Sequence, residues 1–332
     1  MAYETNFQPS KEVNLVFGTE ATLGTATVAG GTWNQYPVTD FSLEHPSVPL
    51  EVAATKSGKL VRGDWQAVHR PDTASYSVDV TFKGTTTTII MLMAALFEST
   101  SSAYKLQGTY NPPNWKHGGS FTTPKTLLFE NAGSDNTNMD LLLTSCVCTS
   151  MTLSQDGGTE SGQLVASTTW WTGYQPTETA LTPDAYTIDV GQPKSIFDLD
   201  EPTLDSEVLQ VMSWSITAAR SVERVSYKDV STFVPYGYAM SGDWEVTGEL
   251  VVKRDDSITD LASPMKGGAA VSLTIAESTA ANFSITCGTV KIDNSKPEVG
   301  ESFLTQTIPF QAFYDSSTAA DAGDLFSLTI AN

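Results

Sequence analysis

The stretch YSVDVTFK at residues 76–83 alternates apolar and polar side chains along its whole length. Tyr76, Val78, Val80 and Phe82 share one parity, and polar or charged residues fill the other. Because successive side chains of a β-strand point to opposite faces of the sheet, this pattern predicts a strand with one buried and one solvated face. The same alternation recurs through the chain, so we expect a mostly β protein built from half-buried antiparallel strands.

A short helix is predicted directly after this strand, over residues 88–97, with Thr87 or Thr88 as its N-cap. In the second half of the chain, a predicted strand at 243–253 is followed by a similar helical pattern at 257–263. In both places the apolar residues recur at the i, i+3, i+4 and i+7 spacing of an amphipathic helix. The strand-then-helix order therefore occurs twice.

The order of the other predicted elements also repeats, which indicates a tandem duplication. In the first half the predicted strands lie at 39–43, 76–83, 126–131, 145–153 and 163–171. In the second half they lie at 208–217, 243–253, 270–276, 283–292 and 303–314. The tripeptide Gly63-Asp64-Trp65 returns as Gly242-Asp243-Trp244. We predict two tandem antiparallel β-sandwich or barrel domains, each with one short helix.

Domain boundaries follow from breaks in these patterns. Gly24, Gly30 and Gly31 interrupt any regular element near the start, which favours an arm. The stretch around 180–205 is rich in proline and acidic residues, as a surface linker is. The predicted division is an N-terminal arm at 1–32, a first domain at 33–179, a linker at 180–205 and a second domain at 206–332.

Composition and charge restrict the function classes. The formal net charge of −20 leaves no basic patch to neutralise phosphates, which argues against nucleic-acid binding. The longest apolar run, at 89–97, is far shorter than a membrane span, and the first residues lack the apolar segment of a secretory signal. Three cysteines make no disulfide framework, so we expect free, buried thiols.

Catalytic and metal-binding patterns are weak, and we predict neither an enzyme nor a cofactor. The histidines, His45, His69 and His117, lie in polar connections without metal-ligand spacing. Oxygen-rich segments at 135–140 and 198–201 lack the order of acids and glycine that calcium loops show. A glycosidase would need two carboxylates closer than Glu245 and Glu249, which are about 13 Å apart along one strand.

Three segments of the sequence resemble parts of a known family. The segment FGTEATLGTA at 17–26 resembles the opening of siphophage tail-tube subunits, in which a Glu-x-Thr-x-Gly-Thr-Ala phrase precedes the first strand. The segments SWSIT at 213–217 and WEVTGEL at 244–250, separated by a polar connection, look like the core of a single tube domain. The chain is thus similar to a bacteriophage tail tube protein with a tandem duplication of the tube domain.

This resemblance implies a structural virion protein, found in the tail and assembled in the host cytoplasm. Sheets of neighbouring subunits join into a barrel around a lumen, and rings stack into a tube through which viral DNA passes without specific binding. If each chain supplies two domains, three chains complete a pseudo-hexameric ring. The implied partners are other copies of the chain and the tail terminator, tape measure and distal tail proteins, with no membrane.

Acids on the solvated strand faces are the candidate functional residues. We expect Asp79, Glu245 and Glu249 to face the lumen, where negative charge keeps DNA from adhering. Two other readings stay open from the sequence. One is a different virion β-protein, such as a capsid decoration or tail terminator component. The other is a carbohydrate-binding or carbohydrate-degrading β-sandwich, in which Trp170, Trp171 and Trp244 stack on sugars.

Overall fold

The structure is a computed structural model of the 332-residue chain. It describes residues 13–43, 50–52, 67–69, 75–97, 103–107, 115–116, 124–131, 140–158, 162–179, 181–200, 202–204, 207–225, 235–253, 271–277, 282–293, 296–299, 304–313 and 324–330. Strands account for most of these residues, which confirms the predicted mostly β fold class.

One α-helix and twenty-four strands are described. The helix, α1, spans Thr86–Phe97. The strands are β1 Val13–Thr19, β2 Trp33–Gln35, β3 Val38–Leu43, β4 Leu50–Val52, β5 Ala67–His69, β6 Tyr76–Lys83, β7 Ala103–Gln107, β8 Trp115–Lys116, β9 Lys125–Asn131, β10 Asp140–Asp156, β11 Val165–Thr172, β12 Thr177–Thr179, β13 Tyr186–Ile188, β14 Thr203–Leu204, β15 Glu207–Val208, β16 Val211–Ala219, β17 Val222–Val225, β18 Gly237–Met240, β19 Glu245–Lys253, β20 Val271–Ala276, β21 Phe283–Ile292, β22 Lys296–Val299, β23 Leu304–Ala312 and β24 Asp324–Ile330.

A continuous antiparallel sheet, here called the long sheet, runs through both halves of the chain. Its strand order is β3, β6, β11, β10, β16, β19 and β23, and β21 and β22 then lie one after the other along the far side of β23. The first four strands come from the first half of the sequence and the others from the second. The two halves are therefore joined by the ladder between β10 and β16.

Strand β10 bends out of the long sheet and joins a second sheet. Its first residues pair with β9 and β12, whereas the part after Cys146 pairs with β11 and β16. The second sheet continues from β9 through β1 and β2 to β13, which pairs with β2 in parallel. The main core lies between the apolar faces of these sheets and helix α1, which gives a sandwich-like arrangement. Apolar residues of β20, β24 and the first part of β21, which pairs with both of the other strands, belong to the same core.

The same set of strand pairings occurs twice. In the first set, called repeat one, the pairs are β1·β2, β1·β9, β9·β10, β10·β11, β11·β6, β6·β3 and β10·β12. In the second set, repeat two, they are β14·β15, β14·β20, β20·β21, β21·β23, β23·β19, β19·β16 and β21·β24. Each pair in one set has its counterpart in the other, in the same chain order.

Two β-bulges match as well. The β3·β6 register shifts between Val38 and Asp40, and the β16·β19 register shifts between Val211 and Ser213. The β9·β10 register shifts between residues 143 and 146, and the β20·β21 register shifts between 287 and 290. Because a bulge requires a specific extra residue in one strand, the coincident bulges show that these two pairs of ladders have matching registers.

Part of the predicted arm is a core strand instead. Leu15, Val16 and Phe17 of β1 are buried, and β1 pairs along its whole length with β9. Gly24 does adopt a left-handed φ of 86°, but it lies after this strand and not within it. The glycines break the chain between β1 and β2, so they separate two strands of the second sheet.

The predicted linker is also ordered where it is described. Residues 186–188 form β13, and Lys194 makes backbone hydrogen bonds with both Gly84 and Leu164 of repeat one. Farther along, the Asp200 N–H donates to the carbonyl of Ala276 in repeat two, and the Lys194 ammonium lies 3.0 Å from the Glu277 carboxylate. The connection therefore binds both repeats. Because the repeats also share one core, their division into separate domains stays a prediction.

Helix α1 confirms the first helical prediction but not its N-cap. The hydroxyl of Thr85, and not that of Thr87 or Thr88, accepts the hydrogen bond from the Thr88 N–H at 3.0 Å. Asp189 of the connection accepts hydrogen bonds from the hydroxyls of Thr85 and Thr88 and so strengthens the cap. The second predicted helix, at 257–263, lies outside the described residues, as does the Gly63-Asp64-Trp65 tripeptide.

Candidate functional site

The exposed face of the long sheet carries rows of polar side chains that cross both repeats. Residues paired directly across neighbouring strands lie on the same face of a sheet. One such row crosses seven strands and consists of polar side chains: Asp40, Thr81, Ser167, Thr152, Thr217, Thr247 and Gln311. Within this row the hydroxyl oxygens of Thr152 and Thr217 are 2.8 Å apart, across the boundary between the repeats.

All three acids predicted from the sequence lie on this face and are exposed. Asp79 and Glu245 belong to one row of paired residues, and Glu249 is four residues along the strand from Glu245. The Thr169 hydroxyl donates to the Asp79 carboxylate at 2.7 Å. Asp79 and Glu249 also hold equivalent positions in the two repeats, since they pair with Ser42 and Ser215 respectively.

The spacing of these acids is that of a surface and not of a catalytic pair. Asp79 and Glu245 are four strands apart, which at strand separations of about 4.8 Å places them roughly 19 Å from each other. Glu245 and Glu249 are separated by about 13 Å along β19. Both separations exceed the roughly 5–9.5 Å between the carboxylates of glycosidases.

The charge of this face is only slightly negative. The acids at described positions of this face are Asp40, Asp79, Asp156, Glu245, Glu249 and Glu298, and the lysines are Lys83, Lys253, Lys291 and Lys296, so they sum to −2. Most of the −20 of the whole chain therefore lies elsewhere. Serine and threonine are the commonest residues on this face. Such a face is hydrated and offers anions no cluster of cations.

One end of this face is covered by the β17–β18 hairpin of repeat two. The Tyr238 ring packs edge-on against Trp171 of repeat one, with centroids 4.8 Å apart. The Tyr238 hydroxyl donates to the carbonyl of Ser145 at 3.1 Å and accepts from the Gly173 N–H, also at 3.1 Å. Burial raises the pKa of Tyr238 well above its ordinary value. Sequence reasoning did not find this contact, because it joins segments far apart in the chain.

The segment at 17–26 contains a buried carboxylate, that of Glu20. Glu20 accepts hydrogen bonds from the Thr126 hydroxyl at 2.6 Å and from the backbone N–H and hydroxyl of Ser145 at 2.6 and 2.7 Å. The Gly24 N–H in turn donates to the Ser145 hydroxyl at 2.7 Å. Ser145 has a positive φ of 55°, a strained conformation for a non-glycine residue, at the bend of β10. Glu20 thus holds that bend in place.

The remaining predicted polar groups form no described site. His69 lies in β5, and His45 and His117 lie outside the described residues, as do residues 135–139 of the first oxygen-rich segment. No cluster of three metal-ligating side chains occurs among the residues that the structure describes. Cys146, Cys148 and Cys287 are free and buried, as predicted.

Within the described ranges, no helix has the length and apolar character needed to cross a membrane.

Comparison with known proteins adds no assignment. The chain matches no protein-family model and no curated protein sequence.

Proposed function

We propose that this chain is the major structural subunit of a bacteriophage tail tube, and that its long sheet forms part of the wall of the lumen. The observation that carries the proposal is the repeated set of strand pairings within one continuous sheet. A wall made of identical units requires each unit to join the next in the same way. In this chain, repeat one already joins repeat two through such a contact.

The exposed face of the long sheet supports the role of a lumen wall. Its hydroxyls and acids, including Asp79, Glu245 and Glu249, give a hydrated surface of weakly negative charge. DNA phosphates are bound by lysine and arginine clusters, which the described part of this face lacks. A polyanion would pass such a surface without being retained.

Sheet geometry favours three chains in a ring. Each chain contributes eight strand positions to the long sheet, which at about 4.8 Å each span roughly 38 Å of arc. Three chains give a circumference of roughly 115 Å and a backbone diameter of about 37 Å, more when the strands tilt. Inward side chains leave a lumen that accommodates one DNA duplex, whereas two chains enclose too little space.

In this proposal, stacked rings form the tail of the virion after assembly in the host cytoplasm. The tail terminator, tape measure and distal tail proteins are the other expected partners. We expect these partners and this location because tail-tube subunits have them. The segments at 17–26, 213–217 and 244–250 are those that resemble tail-tube subunits. The chain itself then has a structural and not an enzymatic role.

Negative-stain electron microscopy of the purified chain tests this function. We expect rings or stacked tubes with a central channel. Compact single copies at all concentrations would contradict the proposal. A channel lined by basic residues, seen in a ring reconstruction, would contradict the assignment of the lumen face to Asp79, Glu245 and Glu249.

A further inference from the structure

Two of the contacts between the repeats are here called together the internal junction, and each is one of its two parts. In the first part, residues 150–156 of β10 pair with residues 213–219 of β16. In the second part, the β17–β18 hairpin of repeat two lies on the end of β11 of repeat one, where Tyr238 contacts Trp171. Both parts join repeat two to the same side of repeat one. The two halves of the chain also meet where β7 pairs with β24, where β8 pairs with β18 and where Phe97 of α1 packs on Trp244 and Phe326.

Each partner in this strand pair has a counterpart at a free edge of the long sheet. Ser42 of β3 pairs with Asp79 as Ser215 of β16 pairs with Glu249, so β3 corresponds to β16. Among the described residues, β3 pairs with β6 alone. Its outer edge therefore presents the backbone groups that β16 uses to bind β10.

Strand β22 is the counterpart of the end of β10. Glu298 pairs with Thr305, which pairs with Lys253. Ser154 pairs with Val165, which pairs with Lys83, the residue equivalent to Lys253. Glu298 therefore holds the position of Ser154. In the described part of the chain, β22 pairs with β23 and no other strand.

We propose that two copies of this chain meet by repeating the internal junction, so that β3 of one copy pairs antiparallel with β22 of the next, with Ser42 opposite Glu298. This inference rests on the proposed tube function, and it specifies the edges and the register of the contact. The contact is head-to-tail, since β3 and β22 are different surfaces of one chain. Such contacts close into a ring when the rotation between copies permits it.

The β4–β5 hairpin supplies the second part of the same contact. Leu50 of β4 lies seven residues after Leu43, as Glu223 of β17 lies seven residues after Ile216. Likewise His69 precedes Tyr76 by seven residues, as Ala239 precedes Val246. Leu50 pairs with His69, and Glu223 pairs with Ala239, so the two hairpins agree in register.

The surface that would receive this hairpin is uncovered in the single chain. Trp171 pairs with Val147 of β10, and Gln311 pairs with Lys291, the equivalent residue of β21. Trp171 and Gln311 are therefore equivalent, and so are Gly173 and Phe313, which lie two residues farther along the chain. Gly173 is covered by Tyr238, whereas Phe313 is 38% exposed. The Lys291 ammonium lies 5.5 Å from the Phe313 ring centroid. An exposed aromatic ring at this position is where a second hairpin would pack.

The new strand pair has fewer possible hydrogen bonds than the internal one. Pro297 of β22 lacks a backbone N–H, while its equivalent residue is Leu153. Proline is tolerated at edge positions of sheets.

Cysteine pairs test the register directly in the full-length assembled protein. The double variant Ser42→Cys with Glu298→Cys should form covalent dimers and trimers on oxidation or with a short bifunctional thiol reagent. The pair Ser154→Cys with Ser215→Cys is the matched positive control, because it has the same geometry within one chain. The pair Ser42→Cys with Val299→Cys is one residue out of register and should cross-link at least tenfold less.

The outcomes separate this inference from the function on which it rests. Rings that form without cross-links between residues 42 and 298, while the positive control reacts, would overturn the edge assignment and leave the tube function standing. Absence of rings in the unmodified chain would contradict the function itself.

A surface substitution tests the hairpin contact. Phe313→Ala should reduce the fraction of chains in rings several-fold without changing the fold of the single chain, since Phe313 is partly exposed. Phe197→Ala is the matched control, because Phe197 is 76% exposed on the connection between the repeats. Equal ring fractions for both variants would show that the hairpin does not dock on Phe313.

Discussion

Repeat one and repeat two differ chiefly in what covers their outer sides. The end of β10 is covered by β16, and the neighbouring Gly173 is covered by Tyr238. The equivalent end of the sheet in repeat two, at β22 and Phe313, has no such cover in the described chain. One copy of a repeated contact is thus made within the chain, and the surfaces for a second copy are present but unused.

The uncovered surfaces of repeat two suggest a way in which a duplicated chain forms a polymer. If a contact between repeats is stable within one chain, the same contact between chains needs no new chemistry. The ring then contains one kind of contact between repeats. Half of these contacts lie within a chain and half lie between two chains. Substitutions at equivalent positions of the two repeats test whether the repeats pack and assemble in the same way.

The largest expected effect is the loss of a core aromatic in either repeat. Trp170 and Phe310 hold equivalent positions and are 0% and 3% exposed. Substituting either residue with alanine should lower the free energy of unfolding by about 3–5 kcal/mol, through lost apolar burial and a residual cavity. Because both side chains belong to one core cluster, each variant should unfold in one transition, measured by urea denaturation. Two separate transitions, one unaffected by the substitution, would show independent repeats.

A smaller effect is expected where the repeats differ in packing. Gly248 is equivalent to Val78, and a Cβ at Gly248 would lie 2.3 Å from the Phe310 ring and 2.5 Å from the Ser215 carbonyl oxygen. Gly248→Ala should therefore cost about 1–3 kcal/mol through overpacking, measured by thermal unfolding. The double variant Gly248→Ala with Phe310→Leu should be destabilised by less than the sum of the two single variants, because the smaller side chain removes the contact with the ring. A neutral single variant would contradict the close packing of this ring on the strand.

The bend of β10 distinguishes the repeats by its pH dependence. In repeat two, Gly288 stands where repeat one has Thr144, next to the strained Ser145 that Glu20 holds. Burial raises the pKa of Glu20 above its ordinary value of 4.5, although hydrogen bonds from Thr126 and Ser145 and the nearby Lys125 oppose this shift.

Folding therefore favours the protonated carboxyl of Glu20. That contribution to stability is fully present below pH 4.5 and is lost as the pH rises through the raised pKa. Glu20→Gln should remove this component, so the unfolding free energy of the variant should fall less with rising pH than that of the unmodified chain. Parallel pH profiles of the two proteins, from urea unfolding, would contradict this role of Glu20.

The smallest effect on stability is expected at the exposed acids. Replacing Asp79, Glu245 and Glu249 together with lysine should change the unfolding free energy by about 0.5 kcal/mol or less per site, as exposed substitutions do. The rings should, however, gain affinity for DNA at low salt. Lysine at Glu178, Asp184 and Asp198, which are exposed away from this face, is the control for total charge. Equal DNA binding by both triple variants in a gel-shift assay would place the acids outside the lumen.

Much of the fold followed from sequence periodicity. The predicted bounds of strand β6 agree with the structure at both ends. The alternation of polar and apolar residues correctly placed Asp79 and Glu249 on the exposed face. These predictions succeed because alternation along a strand is a local property. The prediction of an arm at 1–32 was wrong for β1, because it also used local signals alone. Glycines at 24, 30 and 31 indicate a break in the chain, but they do not show that β1 pairs with β9, more than a hundred residues away.

The exposure of the three acids was predictable from the sequence, whereas the contacts between the repeats were not. Nothing local to Tyr238 indicates that its hydroxyl binds Ser145 and Gly173 of the other repeat. Glu20 belongs to the segment at 17–26 on which the family resemblance rests, but the sequence does not indicate that its carboxylate is buried. That burial depends on the bend of β10, which brings Ser145 to Glu20. The order of strands repeated in the sequence was the one signal for long-range pairing, and it held for the described strands.

Native mass spectrometry of the smallest closed assembly determines how many chains complete a ring. If each chain supplies two equivalent repeats to one ring, that assembly contains three chains of 35.6 kDa, or about 107 kDa in total. A closed ring of six chains, or a protein that remains at 35.6 kDa at every concentration, would contradict the account.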